Sequence, residues 1–277
     1  TIIPYKNTDE AIELAKLGQG SLVGSIFTNN NQIAKDLFFG TASHHGRIMI
    51  INRDCAKEST GHGSPMPHLV HGGPGRAGGG EELGGIRGVL HYMQRTAIQG
   101  HPSTLSFIGN QWLKGAKRTE HDKHPFMKHF EELNIGDTLK TQGRTVSEAD
   151  IVNFTNISWD NFYAHSDITS LEGTLFKGRV AHGYFILSAA AGLFVDGRKG
   201  PVLANYGIDE LRFINPVYVN DTIWVNLTVK EKIEKESRAD MPDHCVVKWD
   251  VEVFNQNNEQ VAQATILTLV AKKKNQD

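Results

Sequence analysis

Residues 182–197 read HGYFILSAAAGLFVDG, and they form the most apolar helical pattern in the second half of the chain. Apolar and small side chains occupy nearly all of it, which predicts a helix of about four turns. Gly197 is the expected end of that helix. A helix that is apolar nearly all round must be buried. The small residues SAAAG at 188–192 would let it approach a sheet closely.

Strand-like segments lie on both sides of this helix. The segment FEELNIGDTLKTQGRTV (130–146) holds a strand after a turn at Gly136-Asp137, and a helix over 147–158 opens with a capping box of Ser147 and Asp150. Four strands are predicted after the long helix: VLANYGIDELRFI (202–214), DTIWVNLTVKEKIEKE (221–236), HCVVKWDVEVFNQ (244–256) and QVAQATILTLVAK (260–272). The sequence NQNNEQ (255–260) is typical of a hairpin turn. A long buried helix wrapped by an antiparallel sheet is the α+β hotdog fold, which we expect over residues 126–277.

The first block, residues 1–108, alternates predicted strands and helices, which favours α/β with parallel strands. The predicted helices are NTDEAIELAKLG (7–18), with Asn7 or Thr8 as N-cap, and NQIAKDLFFGTA (31–42). The predicted strands are TIIPY (1–5), SLVGSIFT (21–28), GRIMIIN (46–52) and STLSFI (103–108). The glycine-rich residues 72–88 must form a loop, and the polar residues 109–125 suit an interdomain linker.

Composition excludes several functional classes. The net charge is −2, from 29 Lys+Arg and 31 Asp+Glu, so no broad basic field favours nucleic acid as a partner. No apolar run reaches about 18 residues, so no membrane helix is predicted. The 2 cysteines, Cys55 and Cys245, do not make a disulfide framework, and a reducing cytoplasm fits best. The chain starts at Thr1 without Met, and we expect it to be a fragment of a longer protein.

Two features of the first block resemble ligand sites but lack the required context. Residues 73–78 spell G-x-G-x-x-G, yet no strand precedes them and no helix follows, so we predict no phosphate cradle. The block also contains scattered loop histidines, His44, His45, His62, His68 and His71. Neither a carboxylate nor a cysteine joins them at ligand spacing, so no metal site is predicted.

The residues that point to chemistry lie in SWDNFYAHSD (158–167) and FKGRVAHGYF (176–185). Asp160 and His165 are one short loop apart, where an acid and an imidazole can hold and polarise one water. Gly183 then opens the long helix, whose free N–H groups can face a developing oxyanion. His182 is a weaker catalytic candidate, and packing or a tautomer-fixing hydrogen bond is its favoured role. Together these parts are those needed to add water across a double bond conjugated to a carbonyl.

The second block resembles the MaoC-type, or (R)-specific, enoyl-CoA hydratases, whose loop reads Asp-x-Asn-Pro-x-His. Here the matching residues are Asp160-Asn161-Phe162-Tyr163-Ala164-His165, followed by the Ala-His-Gly helix start. The resemblance implies that Asp160 and His165 activate water and that the Gly183 N–H holds the oxygen of a CoA thioester. Phe162 and Tyr163 replace Asn and Pro, which argues against ordinary straight-chain substrates.

The first block resembles the C-terminal part of aldehyde dehydrogenases, in the stretches SLVGSIFTNNNQIAK, IMIIN and HGGPGRAGGGEELGG. A dehydrogenase end followed by a MaoC-type domain is similar to the bifunctional fusion proteins of phenylacetate degradation. That resemblance implies hydrolytic ring opening of oxepin-CoA to an aldehyde, which a full-length dehydrogenase domain oxidises with NADP. The hydratase domain needs no cofactor, and the NADP site lies outside this chain. The resemblance also implies a homo-oligomer.

Further site residues are predicted on this basis. Phe162, Tyr163 and Tyr184 are candidates for a pocket wall shaped to a flat ring. Lys177, Arg179 and Arg212 are candidates for contacts to the CoA phosphates, although each also suits a solvated surface. Three alternatives stay open: a straight-chain (R)-enoyl-CoA hydratase, a thioesterase, and a non-catalytic module that oligomerises the dehydrogenase.

Overall fold

The computed structural model describes residues 2–59, 89, 92–236 and 242–273. The chain divides into two compact units, Thr1–Lys117 and Arg118–Asp277. The division falls inside the segment 109–125, of which the first part belongs to one unit and the rest to the other. Trp112, in the first part, is 4% exposed.

The first unit contains a parallel sheet of order β1-β2-β3. Its strands are β1 (Ser21–Phe27), β2 (His45–Ile51) and β3 (Ala97–Gln99), and its helices are α1 (Thr8–Lys16), α2 (Asn31–Thr41) and α3 (Pro102–Gly109). The Asn7 side chain caps α1 by accepting a hydrogen bond from the Glu10 N–H. A small apolar core of Ala34, Ile48, Ile50 and Ile108 joins the elements. The predictions for 7–18, 21–28, 31–42 and 46–52 are therefore confirmed in element type.

Two predictions for this unit were wrong. Residues 2–5 of TIIPY form no strand. The segment STLSFI lies in helix α3 and not in a strand, because Pro102 occupies the first helical turn and the His101 side chain accepts from the Ser103 N–H. This N-terminal cap overrides the β propensity of the short apolar run. The glycine-rich loop, the G-x-G-x-x-G sequence and His62, His68 and His71 lie outside the described residues.

The second unit is built on a sheet of order β4-β5-β8-β9-β10-β7, with β6 pairing separately to β8. The strands are β4 (Thr119–Glu120), β5 (Asp137–Lys140), β6 (Arg144–Thr145), β7 (Val202–Phe213), β8 (Thr222–Ile233), β9 (His244–Phe254) and β10 (Gln260–Ala271). All pairs are antiparallel except β4 with β5. The four strands predicted after the long helix are confirmed, as is the turn that joins β9 to β10.

Among its described residues this unit has three α-helices, α4 (Glu148–Ser158), α5 (Tyr163–Ser166) and α6 (Gly183–Phe194), and short 3-10 turns at Pro125–Met127, Phe130–Glu132 and Thr169–Leu171. The predicted capping box opens α4, since Ser147 and Asp150 exchange side-chain to backbone hydrogen bonds. Helix α6 packs on the sheet through Phe185, Ile186, Ala189, Ala190 and Phe194. An antiparallel sheet around one central helix is the hotdog arrangement that the sequence predicts.

Helix α6 departs from expectation in two respects. It ends at Phe194, before the predicted Gly197. It is also not buried all round, because Tyr184, Ser188 and Gly192 form an exposed stripe at helical spacing. The opposite face carries Ala189 and Ala190, whose small side chains allow the close approach to the sheet. Across the described residues, no helix is long and apolar enough to span a membrane.

Candidate functional site

The chain between His165 and the start of α6 is fixed by backbone hydrogen bonds on both sides. The Val180 N–H donates to the Ala164 carbonyl at 3.0 Å, and the Ala181 N–H donates to the Val217 carbonyl at 2.8 Å. Val180 also forms an isolated antiparallel bridge with Tyr218. These contacts tie α5, the segment just before α6 and the loop after β7 into one site.

His165 has a fixed tautomer and a free ring nitrogen. Its Nδ1 lies 2.7 Å from the Val180 carbonyl oxygen, which can only accept, so Nδ1 carries the proton. Nε2 of the neutral ring is then an acceptor, and it lies 4.0 Å from Asp160 Oδ2. The His165 side chain is only 11% exposed. The ring is therefore oriented as a base that faces a carboxylate.

Asp160 reaches this position because α4 ends in a tight turn. Trp159 takes the left-handed conformation, with φ of 62°, and redirects the chain immediately after the helix. The Asp160 carboxylate accepts the Phe162 N–H at 3.2 Å and remains 44% exposed. A separation of 4.0 Å is too long for a direct hydrogen bond but suits one bridging water.

His182 lies beneath the pair. Its ring stacks on the His165 ring, with centroids 3.7 Å apart and planes inclined by 27°. His182 Nε2 lies 3.1 Å from the Asp160 backbone oxygen, and the residue is 1% exposed. Burial is the main cause that lowers the pKa of His182, and the neighbouring His165 acts in the same direction. The buried ring is therefore held neutral.

Gly183 is the first residue of α6, so its N–H has no partner inside the helix. A Cβ at this position would lie 2.6 Å from the Phe213 ring, closer than any side chain tolerates. Phe213 stands at the end of β7 and is 47% exposed. Glycine is thus required here by the close approach of an aromatic ring and not by backbone strain.

His165 and Gly183 share the wall of one cavity of about 300 Å³. The remaining wall is mostly apolar, with Leu175, Phe176, Val180, Ile186, Phe213 and Val217 among its residues, and Asn215 is a polar exception. The predicted pocket residues lie nearby but do not line it. The Phe162 and Tyr163 rings pack on each other at 4.5 Å, with Phe162 6.0 Å from His165. Tyr184 meets Phe213 edge-on at 6.1 Å.

The three cations predicted for CoA phosphates differ in their environment. Arg179 forms an ion pair with Glu148, which competes with any phosphate. Arg212 is exposed and donates to the Leu211 carbonyl at 2.8 Å. Lys177 is exposed, and its backbone N–H donates to the Tyr218 hydroxyl. Lys177 and Arg212 thus remain accessible to an anion.

Asp160, His165 and His182 place their ligand-capable atoms within 4.8 Å of one another. The two imidazole rings are stacked, however, so their lone pairs point along separate, nearly parallel planes. Nδ1 of His165 and Nε2 of His182 also each hydrogen bond to a backbone oxygen. This arrangement does not converge on one ion and fits acid–base chemistry better.

A second, larger cavity of about 500 Å³ lies elsewhere on the same unit, between α6 and β7. Its lining is mostly apolar and contains Leu187, Phe194, Leu203 and Ile266. Among the predicted site residues, none lines it. The chemistry-bearing side chains therefore assign the smaller cavity as the candidate active site.

Sequence reasoning missed Phe213, Phe176 and Val217 as parts of the cavity. Phe213 and Val217 flank the end of a predicted strand, and nothing local marks them as neighbours of Gly183. Their placement depends on the pairing of β7 with β10, a contact that is distant in sequence.

Known proteins resemble this chain across both units. The family of the MaoC like domain matches residues 130–246. Protein MaoC of Klebsiella aerogenes is 55% identical over 239 residues, which cover 86% of this chain and 71% of that protein. The second unit, Arg118–Asp277, is shorter than this match, so the similarity extends into the first unit.

Two further relatives match shorter parts. An (R)-specific enoyl-CoA hydratase from Rhodospirillum rubrum is 29% identical over 128 residues, 45% of this chain and 85% of the relative. A 3,4-dehydroadipyl-CoA semialdehyde dehydrogenase from Aromatoleum evansii is 39% identical over 74 residues, 27% of this chain but only 14% of the relative.

Among solved structures, a MaoC-like dehydratase from Rhodospirillum rubrum is 26% identical with a TM-score of 0.47 and covers 53% of this chain and 99% of that one. The extent and identity of the match to protein MaoC decide the family. The chain belongs to the MaoC family, and residues 130–246 are its MaoC-like domain.

Proposed function

We propose that the second unit adds water to an unsaturated CoA thioester in the cavity shared by His165 and Gly183. One observation carries this proposal: His165 lines the cavity, and its Nε2 lies 4.0 Å from Asp160 Oδ2, although Asp160 itself is not a lining residue. Two acceptors at that distance can each take a hydrogen bond of about 2.8 Å from the same water. The angle between these bonds would be about 90°, close to that of a water molecule.

As the water oxygen attacks, Asp160 takes one proton from the water and hands it to His165 Nε2, which delivers it to the neighbouring carbon of the substrate. The neutral His165 ring suits this role, because Nδ1 is engaged by Val180 and Nε2 is free to accept. The protonated ring that results gains a carboxylate neighbour, which stabilises it. Substitution of either side chain should therefore remove the catalytic step and leave the fold in place.

The Gly183 N–H would receive the thioester oxygen, where negative charge grows as water adds to the conjugated double bond. The start of α6 supplies partial positive charge at the same point. The Phe213 ring packs against Gly183 on one side of this position.

For the substrate, we propose oxepin-CoA. Water adds across the enol-ether double bond, with its oxygen on the ring carbon next to the ether oxygen and a proton on the neighbouring carbon. The hemiacetal that forms opens by breaking its bond to the ring oxygen, which leaves an aldehyde and consumes one water in total. The aromatic side chains Phe162, Tyr163, Tyr184 and Phe213 around the site support a flat, unsaturated substrate. Lys177 and Arg212 are proposed to bind the CoA phosphates.

The resemblance of the first block to aldehyde dehydrogenases supports an aldehyde as the product. We propose that residues 1–108 are the C-terminal part of an aldehyde dehydrogenase domain, residues 109–125 a linker and residues 126–277 the hydratase domain. The 74-residue similarity to a semialdehyde dehydrogenase supports a dehydrogenase-derived part of the chain, although that match covers only 14% of the relative. In a longer, cytoplasmic protein, the remaining part of the dehydrogenase would bind NADP and oxidise the aldehyde.

A homo-oligomer is also proposed. Strand β7 ends the order of described strands, so one of its edges has no strand partner among them. Several of its side chains are exposed and apolar, including Leu203, Tyr206 and Ile208. An unpaired, apolar edge of this length favours association. The mass of the purified chain in solution tests this proposal, which a monomer at micromolar concentration would contradict.

A straight-chain (R)-enoyl-CoA hydratase is the second candidate, favoured by the similarity to the Rhodospirillum rubrum hydratase. The test is turnover of oxepin-CoA and crotonyl-CoA by the purified chain, with free CoA thiol measured in parallel. The proposal expects aldehyde from oxepin-CoA, a lower kcat/KM for crotonyl-CoA and no free thiol. Preference for crotonyl-CoA supports the second candidate, and release of thiol identifies a thioesterase. Inactivity with both substrates in an assembled protein supports the non-catalytic alternative.

A further inference from the structure

His182 contacts both members of the proposed water-activating pair, although it does not line the cavity. It stacks on the His165 ring at 3.7 Å and bonds to the Asp160 backbone oxygen at 3.1 Å. We propose that His182 is a positioning residue that holds Asp160 and His165 at the separation at which one water bridges them. This inference rests on the proposed function and assigns a role within the same site.

The chemistry of the two partners shows which of them donates in the hydrogen bond between His182 and Asp160. The Asp160 carbonyl oxygen can only accept, so His182 Nε2 must carry the proton. Thr155 Oγ1 lies 3.3 Å from the same nitrogen, and its own hydroxyl donates to the Ile151 carbonyl, so it too accepts. Nε2–H is therefore shared between the loop that carries Asp160 and helix α4, and it ties the two together.

The other ring nitrogen explains why His182 stays neutral. Nδ1 is buried and has no hydrogen-bond partner among the described residues. A neutral ring leaves only a lone pair there, whereas a protonated ring would bury an unpaired donor. Burial also lowers the pKa of His182. The ring can therefore donate to Asp160 without exchanging a proton with His165.

Other contacts also restrict the His182 ring. Phe154 packs on it with centroids 5.1 Å apart and planes inclined by 53°. His165 is in turn fixed by Nδ1 at Val180 and by the stack on His182. With Nδ1 anchored and the ring plane supported, His165 Nε2 can point only towards the Asp160 carboxylate.

The charged groups around the pair are few and mostly engaged. On α4, Glu148 pairs with Arg179 and Asp150 with Arg144. After α5, Asp167 accepts hydrogen bonds from Thr169 and Ser170, while Lys177 on the following loop is exposed. Helix α6 carries no charged residue. Asp160 and His165 are therefore the ionisable groups through which a change at position 182 would act.

Two substitutions at position 182 remove its contacts with Asp160 and His165 one at a time. His182→Phe keeps a ring against His165 but removes the donor to Asp160, whereas His182→Gln keeps a donor in place of Nε2 and removes the ring. The matched control is His45→Phe, since His45 is also buried and bonds to a carbonyl through its ring, but lies in the first unit. Each variant is assayed as the full chain with the substrate that the wild type turns over, across pH 5 to 9.

We expect His182→Phe to lower kcat about tenfold or more with KM within about twofold, because a small misplacement weakens catalysis while the cavity is unchanged. The acid limb of its kcat/KM profile should also be displaced, because Asp160 and His165 no longer face each other at 4.0 Å. His182→Gln should restore the position of that limb and at least about a third of kcat. His45→Phe should match the wild type.

Unchanged kcat and pH profile in His182→Phe would overturn the inference, as would a loss of kcat that only follows the fraction of protein folded. If His182→Phe does not fold, His182→Gln is used instead. A folded His182→Gln variant whose acid limb in the kcat/KM profile is displaced from that of the wild type also contradicts the inference. The Asp160→Asn variant distinguishes failure of the proposed function from failure of the proposed role of His182. If it stays active, the proposed function fails; if it is inactive while His182→Phe is normal, only the role of His182 fails.

Discussion

The Phe213 ring lies so close to Gly183 that position 183 has no room for a side chain. A Cβ there would be 2.6 Å from Phe213 Cε2 and 2.7 Å from Cζ. The two residues are far apart in sequence, yet their contact forms the wall of the candidate active site where the thioester oxygen is proposed to bind.

Gly183→Ala should therefore lower kcat/KM about tenfold or more, because Phe213 must shift away from the proposed oxyanion position. The backbone N–H remains in this variant, so the loss reports displacement of the ring. Steady-state kinetics of the purified chain measure the effect. Adding Phe213→Leu, which removes the clash, should recover part of the activity. A double variant no better than Gly183→Ala would show that the clash is not the cause.

A buried ion pair should make the second unit sensitive to acid. Asp137 is 3% exposed and accepts from Lys128 Nζ at 2.9 Å, from the Asn134 N–H and from His121. Burial alone would raise the pKa of Asp137, but these hydrogen bonds outweigh it and lower the pKa. The ionised group therefore stabilises the fold at pH above its unfolded value of about 3.9. That contribution disappears as the pH falls through the folded value.

Asp137→Asn should lower the free energy of unfolding at pH 7 by about 3 kcal/mol, because it leaves the Lys128 charge buried without an anion. It should also flatten the pH dependence of stability below about pH 4. Urea unfolding at several pH values measures both effects. Glu231→Gln is the control, since the Lys248–Glu231 pair is partly exposed and should contribute less than about 1 kcal/mol. Equal effects of the two substitutions would contradict the account.

The two faces of α6 should respond in opposite ways to added volume. Ala190 is fully buried against the sheet, so Ala190→Leu should destabilise the protein by about 1–3 kcal/mol through overpacking. Gly192 lies on the exposed stripe, where a Cβ would meet no atom within 4 Å. Gly192→Ala should therefore stabilise the protein by up to about 1 kcal/mol. Thermal unfolding measures both, and the same sign for both would contradict the orientation of the helix.

Much of this fold follows from local sequence patterns. The apolar run at 183–194, the capping box at Ser147 and the period of the four long strands each specify their element without reference to the rest. The wrong strand prediction for residues 103–108 also has a local cause. In STLSFI, the preceding His101 and Pro102 start a helix that strand propensity does not reveal.

The site was predictable only where its residues are close in sequence. Asp160, His165 and Gly183 are recognisable from their spacing, and the structure brings them to one place. Phe213 and Val217 reach the cavity through strand pairing, which no local pattern encodes. The contacts of His182 on both Asp160 and His165 likewise depend on how three separate segments meet.

If Asp160 and His165 activate water together, the Asp160→Asn variant should lose turnover while it keeps its fold. The amide keeps the size of the side chain and can still accept the Phe162 N–H, so the fold should be retained, as circular dichroism and the melting temperature would show. We predict that kcat for ring opening of oxepin-CoA falls by about 100-fold or more, the range expected when a general base is lost. Turnover near the wild-type rate by the folded variant would contradict the account.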